Sequence, residues 1–214
     1  MKLILIISAI VVFILGISIG MFLIFKAKSM QKKLIKEYDS KIQEDIIKIR
    51  EKYGELPAHL SELFPCKIDK LDVEFMIQTI CRNNYEKTLI ISDELYSFAT
   101  AQEVTKKSLY YIPEFFDGSK WNEVVNSNDK DIINFKPIKY NEENLDLIIV
   151  FKDIDPYSIY KKMYSKLNKN GMIIIKFSKT NKQEFTLLKN ELYNNGIPHE
   201  FSFVKTKYLF IRKD

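Results

Sequence analysis

LDLIIVF, residues 145–151, is an apolar run of strand length broken only by Asp146. A half-buried strand alternates apolar and polar residues, whereas a strand covered on both faces is apolar throughout. The run therefore predicts a central strand in a sheet with helices on both sides. Downstream, Asp155-Pro156 opens a helix running to residue 167, with proline in its first turn. Asn170-Gly171 reads as a turn, residues 172–177 as a second buried strand, and residues 184–195 as a helix stopped by Gly196 and Pro198. Residues 201–204 and 208–211 flank Lys205-Thr206-Lys207 and read as a closing hairpin, which makes the last strand antiparallel.

Upstream of the run, residues 69–82 carry an amphipathic helical pattern with Leu71, Phe75, Ile80 and Cys81 near one side. Alternation then begins: strand 88–91, helix 95–107, strand 109–112, helix 119–126, and a short third strand at 132–135. Strands alternating with helices predict an α/β fold with a mostly parallel sheet. Between the first strand and its helix, in KTLIISDELYSFATAQEVTK (residues 87–106), the turn has no glycine. In nucleotide-binding α/β folds this turn is where backbone must approach a ligand closely, and it is normally glycine-rich.

Residues 3–25 contain no charge, and 23 residues at ~1.5 Å each can cross a ~30 Å hydrocarbon core. The run is too long for the h-region of a signal peptide. Residues 1–25 are therefore expected to be a transmembrane helix that meets membrane lipid. Only Lys2 precedes the span, while Lys26, Lys28, Lys32, Lys33 and Lys36 follow it, so the positive-inside tendency places the rest of the chain in the cytoplasm. Residues 26–53 form a basic juxtamembrane stalk with an apolar stripe at Met30, Leu34, Tyr38, Ile42, Ile46, Ile49 and Tyr53, suited to a weak dimer contact at most. Gly54 and Pro57 mark its end, so residues 54–86 form a lead-in segment with its helix and residues 87–214 the sheet domain.

Of 33 basic and 28 acidic residues, residues 26–53 hold nine and five and Lys2 adds one, which leaves 23 of each in residues 54–214. A balanced domain argues against a nucleic-acid partner, which calls for a basic face. Cys66 and Cys81 show no metal-ligand or CxxC spacing, and His59 and His199 are the only histidines. Zinc chemistry and a histidine relay have little to be built from.

The order of strands and helices, with Asp146-Leu147-Ile148-Ile149-Val150, then Tyr157 and Tyr160, then Leu167-Asn168-Lys169-Asn170-Gly171, resembles the class I S-adenosylmethionine-dependent methyltransferases. Within them it is most similar to the catechol-type O-methyltransferase group, over residues 69–214, and it is also similar to single-span methyltransferase-like proteins of wall-less bacteria. The resemblance implies a Rossmann-like methyltransferase sheet, S-adenosylmethionine as cofactor, and an unidentified small-molecule or protein substrate near the membrane.

It also implies site residues. The glycine positions of the family's first turn fall on Ile91, Asp93 and Leu95, and Ser97 ends the motif; the strand acid becomes Leu89. Asp93 or Glu94 is left to take the methionine ammonium, and either could equally cap the helix that follows. Glu114, 19 residues beyond Leu95, stands where the ribose carboxylate comes, with Asp117 as a second candidate. The family's metal-ligand positions fall on Phe151, Phe177 and Ser178, so no metal is expected. Lys152 and Asp153, at the end of the central strand, are the candidate catalytic residues, with Asp153 placed to act as a base. The alternative is a methyltransferase-like domain that has lost catalysis and serves as a binding or scaffold module at the membrane.

Overall fold

The computed structural model describes residues 19–30, scattered positions between 32 and 51, and residues 54–127, 136–203 and 205–214. The chain divides into two compact units, Met1–Ile47 and Lys48–Asp214. In the first unit residues 19–30 are helical, and Ile19, Met21, Phe22, Leu23, Ile24 and Phe25 are all exposed. Most of the expected span, residues 1–18, lies outside the described residues, as does the stalk stripe beyond Met30. Among the described residues no helix is long and apolar enough to cross a membrane.

The second unit begins at Lys48, earlier than Gly54, because Arg50 belongs to it. The Arg50 guanidinium donates to both oxygens of Glu74, at 2.9–3.1 Å, and Glu74 is buried. Its helices are α1 (Ala58–Leu63), α2 (Lys70–Arg82), α3 (Leu95–Thr105), α4 (Gly118–Ser127), α5 (Pro156–Met163) and α6 (Lys182–Asn194). Its strands are β1 (Thr88–Ile91), β2 (Tyr110–Tyr111), β3 (Ile138–Lys139), β4 (Leu145–Val150), β5 (Leu167–Lys176), β6 (His199–Phe203) and β7 (Lys207–Arg212). They form one sheet in the order β3-β2-β1-β4-β5-β7-β6. β7 is antiparallel to both β5 and β6, so it alone runs against the other strands.

β4 sits at the centre, as its composition predicts. Leu147, Ile149 and Phe151 face one core with Val73, Met76, Ile77 and Phe98 from α2 and α3. Ile148 and Val150 face the other, with Ile159 and Met163 of α5 and Leu188 and Leu192 of α6. Full burial of each such side chain contributes roughly 1.5–3 kcal/mol. α2 is started by Asp69, whose carboxylate accepts the Leu71 N–H at 2.9 Å, and α5 by Asp155, which accepts the Tyr157 N–H at 2.9 Å. The carboxylate of Asp72, buried on α2, accepts the N–H groups of Lys205 and Thr206 at 3.0 and 3.2 Å and so ties the terminal hairpin to this helix.

Three expectations change. The strand expected at 132–135 lies outside the described residues, and the third strand of the sheet is β3. The helix expected to reach residue 167 leaves α geometry at Met163 and closes with a 3-10 turn, Tyr164–Lys166. Asn170-Gly171 is not a connection between elements but an excursion inside β5: Leu145 pairs with Leu167 and Leu147 with Met172, so four residues of β5 stand against one of β4. Asn170 takes a left-handed φ of 63°, its N–H donating to Lys213 O at 2.7 Å, and Lys213 N–H donates to Gly171 O at 2.9 Å.

Gly171 is required by contact. A Cβ there would lie 2.9 Å from Asn168 O and 3.0 Å from Asp146 O, both backbone atoms. Gly118, the first residue of α4, has nothing within 4 Å of its Cβ position. Gly171→Ala is expected to destabilise the protein by about 1–3 kcal/mol in denaturant unfolding, while Gly118→Ala changes it little; equal midpoints would remove the contact argument. Asp146 beside it accepts the N–H groups of Glu86 and Lys87 at 3.0 and 2.9 Å and the Asn168 amide at 2.6 Å. Burial pushes this carboxyl up, but the hydrogen bonds from Asn168, Lys87 and Glu86, with the Lys87 charge, together hold it below its ordinary value. A depressed carboxyl contributes stability above its unfolded pKa of about 3.9 and loses it as pH falls through the folded value. Asp146→Asn should therefore destabilise by on the order of 1–2 kcal/mol at neutral pH, with the gap to wild type closing as the pH is taken below 4; a gap independent of pH would count against it.

Candidate functional site

Strand order reverses between β1 and β4, and in open α/β sheets ligands bind at such a switch point, outside the carboxyl ends of the strands. The elements meeting there are the β1–α3 turn, the residues after β4 and the segment after β2. The turn is built without glycine because its backbone never needs one. None of residues 91–97 has a positive φ, and Glu94 is extended at φ −120°, ψ 128°. Ser92 makes the corner: its Oγ accepts the Glu94 N–H at 3.1 Å and a hydrogen bond from Ser97 Oγ at 3.2 Å. Ser92 was missed in the sequence, although a serine three residues ahead of a helix start is the available signal.

The four expected cofactor residues part company here. Ser97 is buried, its hydroxyl turned to Ser92 and to the Glu94 carbonyl at 3.2 Å. Glu94 Oε2 accepts the N–H groups of Lys67 and Ile68 at 2.8 and 3.2 Å, clamping the loop between α1 and α2 to the end of β1. Asp93 is 61 % exposed and forms an ion pair with Lys152 that bridges the ends of β1 and β4. The Lys152 ammonium also lies 5.3 Å from the centroid of Phe115. Glu114 is exposed in the 3-10 turn Pro113–Phe115 that follows β2. Asp117 caps α4, accepting the Lys120 N–H at 3.0 Å.

Asp153, the expected base, is drawn away from the crevice. Its carboxylate accepts from Ser178 Oγ and Thr180 Oγ1 at 2.8 Å and from the Asn181 amide at 2.6 Å, so it holds the loop between β5 and α6. Phe151 and Phe177 are packing residues: Phe151 lies edge-on to Tyr208, and Phe177 sits 4.8 Å from Phe185. Among the described residues no cluster of three or more histidine, cysteine or acidic side chains could hold a metal.

A cleft of about 210 Å³ opens between the α1–α2 loop (Pro65, Lys67), the turn (Asp93, Leu95) and the start of α4 (Asp117, Lys120). Behind it Trp121 stacks on Phe64 at 5.6 Å and meets Phe98 edge-on at 5.6 Å, with Phe116 at 5.5 Å. The carboxylates of Asp93 and Glu114, reachable at the ends of β1 and β2, suit an ammonium and a pair of ribose hydroxyls. Ser97, whose hydroxyl is spent on the protein, does not suit a ligand; Glu94 lines the cleft with one carboxylate oxygen, Oε2, committed to Lys67 and Ile68. The enclosed volume is below the ~300–1,000 Å³ usual for small-molecule sites, so a nucleoside would lie partly outside it.

No known family pattern matches the chain. No curated protein matches it either. Solved structures do. An SAH-bound methyltransferase of Podospora anserina is similar at a TM-score of 0.57 and 18% identity, over 77% of this chain and 92% of that one. A methyltransferase of Geobacter sulfurreducens gives 0.52 and 10%, over 81% and 90%, and an O-methyltransferase of Bacillus cereus in complex with SAH gives 0.50 and 10%, over 82% and 91%. The fold of those methyltransferases is the fold of this chain. At such identities the likeness extends to the fold and not to the site.

Cys66 reports on the Glu94 clamp. Its thiol donates to Ile68 O at 2.9 Å, and burial, then the Glu94 charge, push its pKa up to about 11. In a Cys81→Ser background, alkylation of Cys66 should have its pH midpoint near 11, and Glu94→Gln should lower it, because a neutral neighbour no longer opposes the thiolate. An unmoved midpoint would mean that Glu94 does not face this loop.

Proposed function

We propose that this chain is a membrane-tethered, S-adenosylmethionine-dependent methyltransferase that acts on a small molecule or protein near the cytoplasmic face of the membrane. The observation that carries the reading is the pair of accessible carboxylates, Asp93 and Glu114, at the ends of β1 and β2 beside the switch point. Support comes from the fold shared with SAH-bound proteins. The tether rests on the uncharged run of residues 3–25, the lysines that follow it and the exposed apolar side chains of the helix over residues 19–30.

When bound, the cofactor supplies a methyl group on a positively charged sulfur. The chain's own part is positioning. Asp93 exchanges its Lys152 partner for the ligand ammonium, and Glu114 accepts from the ribose hydroxyls. Lys152, released from Asp93 and still based at the end of β4, presents a cation to a substrate oxygen. Asp153 positions the loop at residues 178–181.

One observation favours a second reading, a methyltransferase-like binding module without catalysis: Glu94 and Ser97 are committed to internal partners. Calorimetric titration of the full chain in nonionic detergent with SAM and SAH separates the two. The first reading expects binding that weakens by roughly tenfold or more in Asp93→Asn and Glu114→Gln, the worth of a charge-assisted hydrogen bond. It also expects Lys152→Met to tighten binding a few-fold, since a half-exposed ion pair is worth about 0–1 kcal/mol. No heat with either ligand at millimolar concentration, in wild type and Lys152→Met alike, would exclude the methyltransferase and leave the binding module.

A further inference from the structure

Three phenyl rings converge on one ammonium at the carboxyl end of the parallel strands. Because β7 runs against the others, its first residue, Lys207, lies beside the end of β5, and the Phe177 N–H donates to Lys207 O at 2.8 Å. Lys207 Nζ is 4.1 Å from the ring centroid of Phe201, 4.9 Å from that of Phe177 and 5.4 Å from that of Phe203. All three fall within the ~6 Å over which a ring quadrupole attracts a cation. None of the described carboxylates pairs with Lys207, so the rings alone face its charge.

Strand pairing brings the rings together: on β6, Phe203 stands directly opposite Lys207 and Phe201 is its diagonal neighbour on the same face. On the other flank Phe177 continues β5 opposite Lys207, its N–H bonded to Lys207 O, and its ring is braced by Phe185 at 4.8 Å and Phe201 at 6.2 Å. Phe203 is 53 % exposed, so the cage opens to solvent on that side. Rings held around a cation from two segments, here β6 and the end of β5, are an arrangement that recognises quaternary ammonium and methylated amine groups. Lysine is a poorer guest, because its ammonium is strongly hydrated and gives up water to enter.

We propose that Phe177, Phe201 and Phe203 form a binding site for a quaternary ammonium or methylated amine, and that Lys207 is its resident occupant, displaced when that ligand enters. The cage adjoins the Asp153-held loop through Phe177-Ser178. As the cationic end of a substrate whose methyl-accepting atom lies elsewhere, since a quaternary nitrogen has no lone pair to accept a methyl, it rests on the reading proposed above; as a binding site it does not.

The test is a titration of the full chain in nonionic detergent with tetramethylammonium chloride, against sodium chloride at equal ionic strength, read by NMR. In the unaltered chain the Lys207 Hε resonances, displaced by the rings, should move toward the free-lysine position as the cage fills. Lys207→Gln should bind tetramethylammonium about tenfold more tightly than wild type, with saturation passing from phenyl protons to the methyl protons. Phe201→Leu in that background should abolish the transfer. Unmoved Lys207 resonances at saturating ligand, or transfer that survives Phe201→Leu, would overturn the proposal. SAH calorimetry is independent: binding of SAH without the cage leaves the reaction and removes this site, and the reverse leaves the site and removes the reaction.

Discussion

The carboxylate of Asp146 holds together the amino ends of three neighbouring strands. It accepts two N–H groups from the residues leading into β1 and the side-chain amide of Asn168 in β5, while the backbone N–H groups of Asp146 and Leu147 both donate to Lys87 O, at 2.8 and 3.2 Å. One polar residue in an otherwise apolar strand thus sets the register on both sides: Thr88 against Leu147, and Met172 against Leu147 after the excursion in β5. A slip of one residue would turn Leu147 and Ile149 toward the wrong core. The same register brings the carboxyl ends of β1 and β4 level, with the N–H groups of Phe151 and Lys152 donating to Ile91 O at 2.9 and 3.3 Å. Asp93 and Lys152 can bridge the crevice only because of that alignment.

The turn after β1 follows from the same economy of backbone. A glycine-rich turn lets main-chain N–H groups face a ligand. Here Ser92 takes up the N–H of Glu94, and Glu94 in turn binds the loop that precedes α2, so one main-chain donor of the turn is already satisfied within the protein, while the first turn of α3 has no side-chain cap. Among the acidic side chains of this rim, Asp93 and Glu114 remain accessible. A site of this kind gains less from backbone preorganisation and depends more on charge.

The parts of the fold that were legible in the sequence are those whose composition reflects burial on both sides. The runs at 88–91 and 145–151 match β1 and β4 to within a residue, the run at 172–177 ends within a residue of β5 although that strand begins at Leu167, and Gly196, at φ 63°, follows α6 as a helix-stopping residue does. Asn170-Gly171 misled because the same dipeptide serves a hairpin and an excursion within a strand; Lys213, far along the chain, decides between them by bonding on both sides of the peptide. The partners of Glu94 are 26 and 27 residues away and those of Asp153 25 to 28, and such pairings leave no local spacing to read. Asp155, which caps its own helix, was readable for the opposite reason.

Lys152 and Lys207 both rest on aromatic rings, yet their energetics differ. Lys152 is shared between one ring and a carboxylate that is mostly in water, so solvent already competes for Asp93 and a second ammonium can replace the first at little cost. Lys207 has three rings and, among the described residues, no carboxylate; what opposes its departure is dispersion and quadrupole attraction, which salt screens little, and what opposes its stay is the hydration its ammonium forgoes. An anionic competitor would disturb the first lysine and ignore the second, whereas a weakly hydrated cation would do the reverse at the cage and compete for Asp93 only as a monovalent charge. The two lysines at the carboxyl rim thereby answer to different chemistries, although the domain that carries them has as many acidic as basic residues.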